Sequence, residues 1–167
     1  MTLDELNHQT PEAFTQTLAE IFEHSPWVAA GAAASRPFSS VAALHEAMLA
    51  VVAGAAPSQK LALLCAHPEL AGRETLTASS AAEQGSKGLD RLTGAQAAAL
   101  AERNAAYRAR FGFPFIIAVR GQRDIEMILD AMDQRLSAER EKEVDVALTE
   151  VAKIARFRLD VVLDGKK

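Results

Sequence analysis

Phe113-Pro114-Phe115-Ile116-Ile117-Ala118-Val119 is the stretch on which the fold class turns. It is aromatic and β-branched, a composition that prefers extended backbone. Elsewhere the apolar residues recur with a helical period. A lone extended run has no clear partner strand, so it reads as a buried extended segment or tight helical turn, ended by Arg120-Gly121. The predicted fold is therefore all-α: one domain over residues 1–167, a multi-helix bundle with a long C-terminal helix.

Working outward, Ile125, Ile128, Leu129, Met132 and Leu136 predict one amphipathic helix downstream. A longer one follows over 137–163, where Val144, Leu148, Val151, Ala155, Leu159 and Val162 keep a single stripe for roughly 40 Å. Upstream, Thr93 with Gln96 predicts a capping box. Leu100, Arg103, Tyr107 and Phe111 continue that helix, and Gly112 ends it. A short helix is expected from Ser79 or Ser80 to between Gly85 and Gly88, after a loop over 69–78. Before the loop, 60–66 reads as a helix with Leu61, Leu64 and Cys65 inward. A helix over 40–53 carries Val41, Leu44, Met48 and Val51. Thr10-Pro11-Glu12 opens another, with Phe14, Leu18, Ile21 and Phe22 on one face, stopped by Ser25-Pro26. Residues 27–40 read as a helical turn and a loop, and both chain ends (1–3 and 165–167) as frayed.

At 167 residues with 49% apolar and 24% charged residues, the chain has ordinary globular usage. Aromatics are only 5%, which points to a core of Ala, Leu, Val and Ile. The net charge of -4 and the lack of a basic run argue against nucleic acid and an anionic membrane surface as partners. A helical DNA-binding regulator is disfavoured on the same ground. Cys65 is the only cysteine, so no intrachain disulfide forms; it reads as a small buried hydrophobe. No signal-peptide pattern opens the chain and no apolar stretch is long enough to span a bilayer, so a cytoplasmic location is the default expectation.

Three islands carry candidate chemistry. Pro68 biases His67 away from α conformation, so a helix arriving from Ser58 should stop near His67. That leaves an imidazole at a helix C-terminus, where the dipole favours positive charge. The histidines His8, His24, His45 and His67 lack metal-ligand spacing with one another or with Cys65, and no metal site is expected. Taken singly, each histidine reads as structural first. In the second island, Ser80, Glu83 and Gln84 share one helical face and can look into one pocket. The same letters, Ser-x-x-Glu, also spell a capping box. The third runs from Asn104 to Gly121. Its phenylalanines read as core, but a buried extended backbone carries peptide groups that need partners. Those groups can line a polar slot, with Arg120 at its exit to clamp a carboxylate or carbonyl. No dinucleotide, P-loop or nucleophile-elbow pattern is present.

In order and spacing, these islands resemble the 2-oxo-4-hydroxy-4-carboxy-5-ureidoimidazoline (OHCU) decarboxylase family, which carries out the last step from urate to (S)-allantoin. The resemblance takes in Phe22-Glu23-His24-Ser25-Pro26-Trp27, Arg36-Pro37-Phe38, His67-Pro68, Ser80-Ala81-Ala82-Glu83-Gln84, the 104–121 block, and Arg156 with Arg158-Leu159. One departure is Lys87-Gly88-Leu89, where the family often has Ala-Gly-Leu. The resemblance implies an all-α homodimer that decarboxylates without metal or organic cofactor. It implies His67 as the catalytic histidine and Glu83 as its acidic partner. Pro68, Ser80, Gln84, the backbone of Phe115, Ile116, Ile117, Ala118 and Val119, and Arg120 are the implied substrate-binding positions. No fused transthyretin-like domain is expected. Which of His67 and Glu83 moves the proton stays open. The rival reading is a noncatalytic helical interaction module, with His67 a helix terminator and Glu83 a cap.

Overall fold

Helix starts in this chain are set by short oxygen-bearing side chains. Thr2, Thr10, Ser40, Thr77, Thr93 and Asp124 each occupy an N-cap, and each accepts a bond from a backbone N–H in the first turn. The computed structural model describes residues 1–72, 76–86, 88–122 and 124–164. The expectations for 73–75, Lys87 and the 165–167 end lie outside them.

Among the described residues the α-helices are α1 (Leu3–Asn7), α2 (Pro11–Thr17), α3 (Pro26–Ala32), α4 (Val41–Gly54), α5 (Pro57–Ala66), α6 (Ala78–Gly85), α7 (Gly94–Phe111), α8 (Ile125–Leu136) and α9 (Arg140–Asp164). Single 3-10 turns occupy Ala33–Ser35 and Val119–Gly121. No strand occurs among the described residues, so the 113–119 run stays unpaired by any sheet and the all-α expectation holds. Among the described residues no single helix is long and apolar enough to cross a membrane.

Several boundaries follow the predicted capping chemistry. The Thr93–Gln96 capping box is formed, and Gly112 closes α7 in the left-handed region at φ 81°. Others differ. Helix α2 ends at Thr17, well before Ser25-Pro26, and i→i+3 turns carry the chain on through Ile21 N–H to Leu18 and Ser25 N–H to Phe22. Phe14, Leu18, Ile21 and Phe22 are nonetheless all buried, because consecutive turns keep the inward spacing that a helix would. Thr2 and Leu3 are not frayed: Thr2 makes a reciprocal capping box with Glu5. Cys65 is exposed rather than buried. Leu63 and Leu64 take the inward positions of α5, and about 100° of rotation per residue carries Cys65 outward.

Most of the buried core is Ala, Leu, Val and Ile, as the low aromatic content predicts, with one compact aromatic cluster beside it. Tyr107 packs against Phe111, Phe113 and Phe115 with ring centroids 4.6, 5.9 and 5.2 Å away. All four are buried, so a few aromatics make up that cluster.

The chain gathers into two compact units. One holds residues 1–66 and the chain from Ala152 onward; the other runs from His67 to Val151. In the first, α3 packs on α2 and α4. The Arg36-Pro37-Phe38 island is tied to α1 there: the Asn7 carboxamide donates to and accepts from the Phe38 backbone, both at 2.9 Å. The Arg36 guanidinium lies 4.8 Å from the Phe14 ring centroid. Arg158 and Glu23, at 5% and 1% exposure, form a buried pair at 2.8 Å, and Arg158 also donates to the Glu20 carbonyl. Removing one member strands a buried charge and should cost about 3–5 kcal/mol. Urea unfolding of Arg158→Met, Glu23→Gln and the double variant should give a double loss smaller than the sum of the singles.

Candidate active site

Every residue assigned to the site by the sequence falls within the second unit, whereas His8, His24 and His45 lie in the first. His8 and His24 are exposed, and the His45 Nε2 lies 2.9 Å from the Ala152 carbonyl oxygen. His67 directly follows the last residue of α5, as the Pro68 argument requires, and is 6% exposed.

Helix α6 is where the three islands meet. Thr77, not Ser80, is its N-cap, and the Thr77 hydroxyl accepts from the Ser80 N–H at 3.2 Å. Glu83 then falls in the second turn and is not the reciprocal partner of a capping box. The capping reading of Ser80-x-x-Glu83 is thereby replaced: a threonine three residues earlier satisfies the helix end. Ser80 and Gln84 are buried, and Glu83 is half-buried.

Gln84 fastens α6 to the loop that carries His67. Its Oε1 accepts from the Ala71 N–H at 2.8 Å, and its Nε2 donates to the Glu69 carbonyl at 3.3 Å. One amide hydrogen is used there, so a second donor remains on Nε2 by valence. Helix α7 holds the same loop from Asn104, whose Nδ2 donates to the Leu70 carbonyl at 3.0 Å. Arg108 Nε adds a bond to the Glu69 carboxylate at 2.9 Å. These contacts restrain a backbone that is costly on its own, since Ala71 sits at φ 50°. Asn104 Oδ1 is buried with no hydrogen-bond partner among the described residues, which makes it an acceptor beside this loop.

Helix α6 also packs against the Val119–Gly121 turn, which ends the 113–119 segment and carries Arg120. Arg120 is exposed. The structure thus brings the His67-Pro68 loop and the turn bearing Arg120 to one short helix, which itself bears Ser80, Glu83 and Gln84. Residues 113–119 are all buried. Their peptide groups divide: the Ile116 carbonyl and the Ala118 N–H are taken by side chains of α8 and α9, while those of Phe115 and Ile117 have no partner among the described residues.

Behind the segment lies a polar cluster. Glu143 is fully buried, and its Oε1 accepts from the Tyr107 hydroxyl and from Arg135 Nε, the latter at 2.6 Å. Its Oε2 has no partner among the described residues. Asn104 and Glu143 carried a weak sequence signal, because each interrupts an otherwise buried helical stripe. In α7 that stripe is Leu100, Asn104, Tyr107 and Phe111, so Asn104 takes the inward place assigned to Arg103. Arg103 instead makes a forked bond from outside to Asp133 of α8, at 2.8 and 2.7 Å. In α9 the buried line runs through Glu143, Ala147 and Val151, rather than through Val144 and Leu148, which are only half-buried.

Burial, and next the bond to Glu143, push the Tyr107 phenol well above its ordinary value, against an opposing pull from Arg135. An unfolded tyrosine ionises near pH ~10. Above that pH the unfolded chain releases a proton that folded Tyr107 keeps, so stability should fall by about 1.4 kcal/mol per pH unit. Tyr107 is the only tyrosine, so tyrosinate absorbance should appear only with unfolding. The Tyr107→Phe variant should lose this component of the alkaline slope. For the loop, Gln84→Ala should speed exchange of the Ala71 amide by about tenfold or more, read by NMR. Gln84→Glu, which keeps the acceptor, should protect it better than alanine does.

A family model for OHCU decarboxylase matches residues 7–160. A 2-oxo-4-hydroxy-4-carboxy-5-ureidoimidazoline decarboxylase of Haloferax volcanii is 43% identical, over 95% of this chain and 94% of that protein. A uric acid degradation bifunctional protein of Bacillus subtilis is 42% identical over 99% of this chain, which spans 33% of that longer protein. Among solved structures, the crystal structure of an (S)-allantoin synthase aligns with a TM-score of 0.78 at 34% identity, over 98% of this chain and 55% of that one.

Proposed function

The chain belongs to the OHCU decarboxylase family, and on that premise we propose that it decarboxylates OHCU to (S)-allantoin in urate degradation, with residues 1–167 acting as one such domain. The observation that carries the site assignment is the role of α6. It bears Ser80, Glu83 and Gln84, grips the loop after His67 through Gln84, and packs on the turn containing Arg120.

The chemistry follows from the substrate. Its C4 carries a hydroxyl and a carboxylate, and the neighbouring C5 carries the ureido group. When the C4 carboxylate leaves as CO2, the electron pair of the broken carbon–carbon bond flows toward the C5 imine. The imine nitrogen takes up a proton, and the C4 hydroxyl then loses its own to become a carbonyl while C5 gains one, so the net change is loss of CO2 and uptake of one proton. The substrate supplies its own electron sink, so the scheme invokes no cofactor. The protein has to hold the ring, shelter it from water and deliver the proton to one face of C5. His67 handles that proton or the neighbouring hydroxyl, and Glu83 orients the imidazole. Arg120 and the peptide N–H groups of Phe115 and Ile117 stabilise the developing negative charge, and Pro68, Ser80 and Gln84 complete the pocket. The active form is proposed to be a homodimer in the cytoplasm.

The assay generates OHCU in situ from urate and follows the circular dichroism of allantoin. Wild type should accelerate formation of one enantiomer. His67→Asn should lose at least about 100-fold in rate, in line with removal of a general acid–base group, and keep the wild-type far-UV spectrum. Full activity in that variant would remove His67 from the mechanism. No acceleration by wild type would favour the noncatalytic interaction module.

A further inference from the structure

Glu150 and Arg135 belong to none of the three sequence islands, yet both grip the backbone to which the substrate is assigned. Arg135 Nη1 donates to the Ile116 carbonyl at 2.7 Å, and Glu150 Oε2 accepts from the Ala118 N–H at 2.8 Å. Arg135 is itself closely held. Its Nε donates to buried Glu143, and its guanidinium lies 4.4 Å from the Phe115 ring centroid and 5.9 Å from that of Tyr107.

In an extended run the N–H and C=O of one residue point to one edge, and those of the next residue to the other. Ile116 and Ala118 therefore address the edge held by α8 and α9. Phe115 and Ile117 address the opposite edge, where their peptide groups bond to no described residue despite 1% and 7% exposure. Buried peptide groups are seldom left in that condition. Ring amides and a ureido group supply the donors and acceptors they require. In a sheet, a neighbouring strand would fix such an edge; here two side chains do.

We propose that Glu150 and Arg135 are positioning residues: they fasten one edge of the 115–119 segment so that its other edge meets the substrate. This inference rests on the decarboxylase reading above. Neither side chain touches the ligand; both act through the backbone. Glu150 is the cleaner probe because it is only half-buried, whereas removing Arg135 would strand Glu143.

The test measures KM and kcat for OHCU in wild type, Glu150→Ala and Glu150→Gln, with NMR exchange of the Ala118 amide alongside. Losing one backbone bond should raise KM about tenfold in the alanine variant. Its pH profile should stay near wild type, because the proton-moving side chains lie on other elements, and any fall in kcat should be smaller than the rise in KM. Glu150→Gln retains an acceptor and should stay within about threefold of the wild-type KM, with the Ala118 amide protected. Should Glu150→Ala not fold, Glu150→Asp keeps the charge but is a methylene short, and the same rise is expected. An unchanged KM with a freely exchanging Ala118 amide would overturn the inference, as would a glutamine variant as impaired as alanine. If wild type itself does not accelerate OHCU decay, the decarboxylase reading fails and this role falls with it. If wild type is active and only the Glu150 result fails, the decarboxylase reading stands alone.

Discussion

Residues 113–119 are all buried, and the first six lie in extended or irregular backbone with no neighbouring strand among the described residues. Peptide groups removed from water need partners, and a helical protein has no ladder to offer them. Side chains from α8 and α9 take that place at Ile116 and Ala118, and the opposite edge is left for other polar groups. The fully buried Glu143, the raised Tyr107 phenol and the packing of Arg135 over Phe115 can all be traced to this need. Arg135 must be held rigidly if it is to hold a carbonyl, and a buried carboxylate between two donors does so. Such a cluster is a poor source of net stability, since desolvation offsets most of the attraction. Its value lies in geometry.

The same economy governs the loop after His67. Proline ends the preceding helix, and the chain then passes through a left-handed alanine that would not hold this shape unaided. Gln84 and Asn104 clamp it from two helices, each through a carboxamide that can serve peptide donors and acceptors. Glu83 is not drawn into a capping box, because Thr77 caps α6 in place of Ser80. Gln84 thus joins the loop to α6, and a side chain assigned to the substrate also builds the frame around it.

Much of this was legible in the residues. The period of the apolar positions, the capping residues and the glycine after Phe111 placed most helices to within a few residues, because these signals act over one or two turns. The absence of a second β-prone run excluded a sheet. The errors were also local in origin. Ser80-x-x-Glu83 and Thr77 compete for the same helix end, and only the folded backbone selects one. Low aromatic content said nothing of where the aromatics go, and six of the seven phenylalanines are buried along with Tyr107.

By itself the sequence determined the all-α class, the helix punctuated after Ala66, and the order of chemical islands that marks the family. Each depends on neighbours in the chain: a proline acting on the residue before it, a cap on the residues after it, a spacing along one face. The tertiary structure alone decided which peptide groups are satisfied and by whom. Gln84 meets Ala71 across 13 positions, Glu150 meets Ala118 across 32, and Asn104 meets Leu70 across 34. No periodicity encodes such pairs, because a hydrogen bond between distant residues depends on where packing brings two backbones and leaves no repeating trace in either stretch.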